Sequence, residues 1–132
     1  MMRSCKLPII TDNYFVQLDE ANEAIGEVIK ELEKKPIVIK TLNTRVDTAR
    51  DLVLKLYNTT NDMIKNANLA ELAIMYANRY RSKYDDIEQA LHDAEKLFFK
   101  GNYKESYDLV VSSTSSVDEN INRKLLKLYE NI

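Results

Sequence analysis

The sequence predicts an all-α fold: an antiparallel helical bundle with one very long central helix and short connections. Three observations carry that prediction. Only two Gly and two Pro occur among 132 residues, so few positions can interrupt a helix. Apolar residues recur at alternating steps of three and four through most of the chain, the period of a helix packed against other helices. A composition of 45% hydrophobic and 30% charged residues supplies a core and leaves charge for solvated faces.

The first helix is expected after "LPIITDNYF", where Thr11 suits an N-cap and Asp12 the first turn. Its seam runs Tyr14, Leu18, Ala21, Ile25, Val28, Leu32, with Glu20, Glu23, Glu27, Lys30, Glu31 and Lys34 outward. Pro36 lacks an amide proton and clashes with a preceding turn, so a reversal belongs there. The seam resumes as Ile39, Leu42, Val46, Ala49, Val53, Leu56, Thr60, Met63, Ala67, Ala70, Ile74, Ala77. A helix from Ile39 to Arg81 would be roughly 65 Å long at 1.5 Å per residue. The first helix can cover only half of it, so later helices are expected along the rest.

Ser82-Lys83-Tyr84-Asp85 reads as a capping box that opens a third helix. Tyr84, Ile87, Leu91, Ala94 and Phe98 would face inward, and Gly101 would close it. A fourth helix carries Tyr103, Tyr107, Val110, Thr114 and Val117. In "VVSSTSSVDEN" the hydroxyl residues compete for backbone hydrogen bonds, and a break is expected at Asp118 to Asn120. Ile121, Leu125, Leu128 and Ile132 then form a last amphipathic segment whose end frays. Tyr57, Met63 and Tyr107 are read as core.

Several function classes find no support. Nineteen basic against twenty-one acidic residues leave a formal charge of -2, so no global field favours nucleic acid or an anionic membrane. No window approaches the ~18 apolar residues of a membrane span, and "MMRSCK" lacks the apolar stretch of a signal peptide. The single Cys5 cannot form an internal disulfide or a Cys-rich metal site. His92 is the one histidine, expected on the surface; it excludes a two-histidine zinc site and the paired Glu-x-x-His of a di-metal bundle. Gly26 and Gly101 stand far apart, so neither a phosphate-cradling loop nor a glycine-built oxyanion site is available. No cofactor, metal or small-molecule substrate is therefore expected; an enzyme would need His92 in a cleft with an acid or nucleophile.

The candidate site is "IMYANRYRSKYDD", Ile74 to Asp86. The heptad register assigns Ile74, Ala77 and Arg81 to the seam, while Tyr76, Arg79, Tyr80 and Lys83 share an adjoining face and Asn78 flanks the other side. In a purely structural account the cations complement a helix C-terminus and the tyrosines fill the turn. Arginine and tyrosine together are also the composition of interaction hot spots. Tyr76, Asn78, Arg79, Tyr80 and Arg81 are thus the candidate protein-binding patch. "AEKLFFKGNYKESYDLV", Ala94 to Val110, looks like one tetratricopeptide-type helical hairpin, with small Ser106 at the crossing.

"KLPIITDNYF", "LAELAIMYANRYRS" and "AEKLFFKGNYKESYDLV" together resemble the C-terminal cytoplasmic part of the EzrA family. These are membrane-anchored septation-ring regulators of low-GC Gram-positive bacteria, built from spectrin-like repeats. The resemblance covers essentially the whole chain, and "ANRYRS" is its specific part. Asn78 and Arg79 match the last two letters of the family's QNR patch, which is linked to recruitment to midcell; Tyr76, Tyr80 and Arg81 lie beside them. Met75 stands where the family commonly has Gln, and "VDEN" where relatives often show an acidic-Pro-Gly break.

The resemblance implies that residues 1–132 form a single C-terminal spectrin-like domain, a fragment of a longer protein. It implies a non-catalytic scaffold that contacts FtsZ and other division proteins, modulating FtsZ ring formation and placement at midcell. Nucleic acid and small-molecule substrates are not implied. The implied location is the cytoplasmic face of the membrane at the division septum, through an N-terminal anchor outside this chain. The alternative is a structural spacer or a tetratricopeptide-like adaptor with no dedicated site in this segment.

Overall fold

The computed structural model describes residues 10–131; the Pro8 opening, Cys5 and Ile132 lie outside them. Among the described residues the fold is all-α. Its helices are α1 (Asp12–Glu33), α2 (Ile39–Ala77), α3 (Asp85–Phe99), α4 (Tyr103–Thr114) and α5 (Ile121–Glu130), with a 3-10 turn at Asn78–Tyr80 directly after α2. The chain divides into two compact units, Thr11–Asp62 and the residues from Met63 onward. The long second helix is as expected, although its regular α geometry ends at Ala77 instead of Arg81.

The first unit is an antiparallel pair made by α1 and the beginning of α2. Thr11 occupies the N-cap in extended backbone, and its carbonyl accepts the Tyr14 N–H at 3.1 Å. Ala21 and Ala49 are buried, small enough to let the two helices approach closely. Glu31 is also buried, and its carboxylate is met by Lys34 at 2.9 Å and Arg45 at 3.9 Å. Thr44, Thr48 and Thr60 return their hydroxyls to carbonyls four residues back, so these β-branched residues keep their polar groups satisfied inside a helix.

The seam read from the sequence is only half filled in this unit. Ile25, Leu32, Ile39, Val46 and Val53 are exposed, and Tyr57, expected in the core, is 59% exposed. A pair of helices can bury only the flank each turns toward the other, here Gln17, Ala21 and Glu31 on α1 and Ala49 on α2. The second apolar flank forms an open groove of about 390 Å³ between the helices, lined by Ile25, Val28, Val46, Ala49 and Val53 among others.

The second unit holds a closed core. Ala73 and Ala77 of α2, Ile87, Leu91 and Ala94 of α3, Val110 of α4, and Ile121 and Leu125 of α5 form one buried cluster. Tyr76, Tyr80, Tyr107 and Val117 pack on its rim. Burying Leu91, Leu125 and Ile87 contributes roughly 2–3 kcal/mol each in transfer free energy. Leu128, read as inward on α5, is exposed.

Two turns close this unit. Gly101 sits at φ 87° after α3, the left-handed position where glycine avoids a Cβ clash. The Asn102 N–H reaches the Leu97 carbonyl at 2.9 Å and the Gly101 N–H reaches Phe98 at 3.1 Å, the paired closure of a Schellman motif. Ser106 then lets α4 cross α3, and its hydroxyl donates to the Ala94 carbonyl at 2.7 Å. At the far end, α4 stops at Thr114 and α5 starts at Ile121, with the expected break between them.

The start of α3 differs from the capping-box expectation. Asp85 is its first residue and Tyr84 its N-cap, without a side-chain cap bond. Ser82 cannot serve, because Arg81 to Lys83 finish the preceding turn: the Tyr80 carbonyl accepts N–H bonds from Lys83 and Tyr84 at 3.1 and 3.2 Å. Asp85, Asp86 and Glu88 instead place negative charge on the first turn of α3. Tyr84, expected inward, is therefore exposed.

Candidate functional site

The end of α2 is fastened by a carboxylate from the break after α4. Asp118 is only 7% exposed. Its Oδ2 accepts hydrogen bonds from the hydroxyls of Tyr76 at 2.9 Å and Tyr80 at 3.1 Å. Lys124 on α5 donates to both carboxylate oxygens, at 3.0 and 3.2 Å. Lys124 first, then the two tyrosine hydroxyls, hold the Asp118 carboxyl below its ordinary value, against the burial that opposes ionisation. The converse holds at its partners: the Lys124 ammonium is raised by the Asp118 hydrogen bond, and the Tyr80 hydroxyl is raised by burial and then by Asp118.

Arg81 makes a second tie. Its guanidinium donates to Glu95 at 2.7 Å, to Glu88 at 2.8 Å and to the Asn78 side-chain oxygen at 3.2 Å. Glu95 and then Glu88 raise the Arg81 pKa. Both acids lie on α3, so this arginine joins the 3-10 turn to the next helix instead of continuing the seam.

Arg79 and Asn78 are exposed. The Arg79 guanidinium lies over the Tyr76 ring, 3.9 Å from its centroid. This stacking holds the planar group by one face and leaves the N–H donors around its edge outward. Arg79 takes part in no ion pair among the described residues.

The five residues singled out in sequence thus fall into three groups. Tyr76 and Tyr80 are half-buried, their hydroxyls turned to Asp118; Arg81 is engaged with α3; Asn78 and Arg79 reach solvent. Sequence reasoning missed Asp118, Lys124, Glu88 and Glu95, the partners that fix the patch. The available signal was the acid at the break after the hydroxyl-rich run, where a short polar residue ends a helix. His92 lies exposed on α3. Among the described residues no group of His, Cys, Asp and Glu could hold a metal ion, and no helix is long and apolar enough to cross a membrane.

Fold and site together define an all-α helical-bundle protein in which buried polar ties fix an outward Asn-Arg pair at a helix end. Its relatives narrow that class. The chain belongs to the EzrA family: the family described as "Septation ring formation regulator, EzrA" matches residues 1–129. It is similar to the septation ring formation regulator EzrA of Geobacillus kaustophilus (strain HTA426), 31% identical over 130 residues, covering 98% of this chain and 23% of that protein. The regulator of the same name from Geobacillus sp. (strain WCH70) is 27% identical over 129 residues, with the same two shares. That of Staphylococcus aureus (strain JH9) is 25% identical over 119 residues, 90% of this chain and 21% of that protein. The chain therefore spans about a quarter of the length of these relatives. No solved structure matches it significantly.

Proposed function

We propose that this chain is a non-catalytic, protein-binding part of a cell-division regulator. It contacts FtsZ and other division proteins and modulates FtsZ ring formation and placement at midcell, acting at the cytoplasmic face of the membrane at the septum. Membership of a family described as septation ring formation regulators supports the division role. The observation that carries the binding role is the outward Asn78–Arg79 pair on a backbone pinned by Asp118, with Arg79 stacked on Tyr76 and its donors unspent. Hot-spot arginines are typically held in this way, because a pre-ordered side chain loses little entropy on binding.

The test is Asn78→Ala with Arg79→Ala in the full-length protein, imaged as a fluorescent fusion beside labelled FtsZ rings. Both side chains are exposed, and losing the Asn78 contact with Arg81 and the Arg79 stacking on Tyr76 should lower stability by about 1 kcal/mol at most, so circular dichroism should show unchanged helical content and only slightly lower melting. Loss of midcell recruitment with an intact fold is expected; unchanged recruitment and ring placement would refute the patch.

A second reading, a spacer with no site of its own here, is favoured by the internal engagement of Tyr76, Tyr80 and Arg81. It predicts that Asp118→Ala disturbs ring placement while the Asn78 and Arg79 substitutions are silent.

A further inference from the structure

Toward their ends α2 and α3 enclose a small open cleft, and both helices bring the same pattern to it: an acid followed three and four residues later by two apolar side chains. On α2 these are Glu71, Ile74 and Met75, and on α3 Glu95, Phe98 and Phe99. Residues at that spacing share one helix face, so each helix presents an apolar wall flanked by a carboxylate. The volume is about 150 Å³, comparable to an apolar protein cavity that accommodates benzene. That is room for one large side chain and too little for a nucleotide or prosthetic group. The walls are open to a guest: Met75 is 55% exposed and Phe99 62% exposed, with Phe99 held edge-on against Phe98, ring centroids 5.6 Å apart.

The charges that line the cleft decide among possible guests. They are Glu71 and Glu95, both half-buried. An acidic guest would meet like charge. A purely apolar guest such as a Leu side chain would fill the well but strip water from two carboxylates without replacing it. A long apolar stem that ends in a cation avoids both costs, with its methylenes against Ile74, Met75 and Phe99 and its head at the carboxylates. The cations already at this helix end are engaged elsewhere: Arg81 is shared between Glu88 at 2.8 Å and Glu95 at 2.7 Å, two acids on one guanidinium, and Arg79 lies over the Tyr76 ring. A carboxylate offers about four acceptor positions, so each of the lining acids can take a further donor beside the partner it has. Arginine suits the place better than lysine, because a guanidinium both stacks on an aromatic ring and pairs with a carboxylate through parallel N–H donors.

We propose that this cleft docks a short segment of another protein by one basic side chain, arginine before lysine, whose stem lies between Met75 and Phe99 and whose cation meets Glu71 and Glu95. The site uses neither Asn78 nor Arg79 and so goes beyond the reading of that pair. One side chain in a well of this size binds weakly alone, so the cation arrives on a chain whose neighbouring residues add contacts along α2 and α3.

A display library of random short peptides, selected on the whole 132-residue chain, tests it. Enriched peptides should share an Arg or Lys. They should bind Met75→Ala and Phe99→Ala at least about fivefold more weakly, and Glu71→Gln about threefold more weakly. Met75 and Phe99 are exposed and Glu71→Gln keeps the shape of its side chain, so circular dichroism should show unchanged helical content in all three. Glu20→Gln/Glu23→Gln, which removes two exposed acids from α1, should leave the affinity unchanged. The proposal is overturned if the enriched peptides hold no recurrent basic residue, or if Met75→Ala and Phe99→Ala bind them as tightly as the intact chain. It is also overturned if losing Glu20 and Glu23 weakens binding as much as Glu71→Gln does, the mark of unspecific attraction to acidic residues. Equal binding by argininamide alone would make the occupant a small molecule and overturn the docked segment. Asn78→Ala/Arg79→Ala should bind the peptides as the intact chain does; a loss there would place the contact on that pair and remove it from the cleft.

Discussion

Replacing Asp118 by Ala removes the one acceptor shared by Tyr76, Tyr80 and Lys124. A hydrogen bond to a charged acceptor is worth about 1.5–3 kcal/mol, but the carboxylate is desolvated to make it, which offsets part of the gain. Lys124 keeps 51% of its side chain in solvent, so its ion pair adds at most about 1 kcal/mol. In the variant, water can reach the half-buried hydroxyls and recover some of the loss. The expected net cost is about 2 kcal/mol, read as a shift of the urea midpoint with unchanged slope. Tyr76→Phe alone should cost about 1 kcal/mol, and almost nothing in the Asp118→Ala background, because its partner is already gone. If Asp118→Ala stays within about 0.5 kcal/mol of the unsubstituted chain, or if Tyr76→Phe costs the same in both backgrounds, the fastening role assigned to this carboxylate is wrong.

The same group sets a pH dependence. Its folded pKa lies below the unfolded one, so the unfolded chain takes up the proton first as pH falls; the stabilisation is complete above about pH 4 and is lost below it, through the folded value. Comparing melting at neutral and acidic pH, Asp118→Asn should lose less stability on acidification than the unsubstituted chain does. Gly101→Ala, at φ 87°, should cost about 1–2 kcal/mol in chemical denaturation, since an L side chain is strained there. Leu91→Ala in the fully buried core of the second unit should cost about 3 kcal/mol through lost contacts and a residual cavity. Gln17→Leu should raise the melting temperature, a gain of up to about 1 kcal/mol, because the buried Gln17 Oε1 finds no hydrogen-bond partner among the described residues.

Where a seam residue ends up depends on how many helices surround it, which a heptad period alone does not state. From Ala67 to Ala77 and through α3 the periodic positions are buried or, at Ile74 and Phe98, half-buried, since α4 and α5 complete the second unit. The same period between Ile25 and Val53 leaves residues open to solvent, where only α1 and α2 face each other in the first unit. Helix ends were legible at Gly101, where the backbone needs a particular residue, and at Thr11, which takes the N-cap position although its side chain makes no capping bond. They were misread at Ser82, because a side chain able to cap does so only if the chain before it has finished turning. Here Ser82 lies in the turn that follows the 3-10 segment, closed by the Lys83 and Tyr84 N–H groups on the Tyr80 carbonyl. Four Ser hydroxyls between Ser112 and Ser116 return to carbonyls three residues back, so a composition that argued against helix is partly absorbed into α4 and the turn that follows.

The site shows the same limit at the level of single side chains. Residue type and helical spacing gathered Tyr76, Asn78, Arg79, Tyr80 and Arg81 onto one helix end, but spacing could not say which of their polar groups are already spent. That depends on Asp118, 42 residues from Tyr76 in sequence, and on Glu88 and Glu95 across the turn. Once those partners are assigned, the cluster separates into engaged and exposed side chains. The tyrosine hydroxyls and Arg81 hold the helix end in place, the Tyr76 ring orients Arg79, and the side chains that reach solvent are Arg79 and Asn78. A substitution that removes a fastening residue should therefore act mainly through stability, and, on the proposed reading of the patch, one at exposed Asn78 or Arg79 should lower stability little and act mainly on recruitment. Melting curves and midcell recruitment, measured on the same variants, separate the two effects.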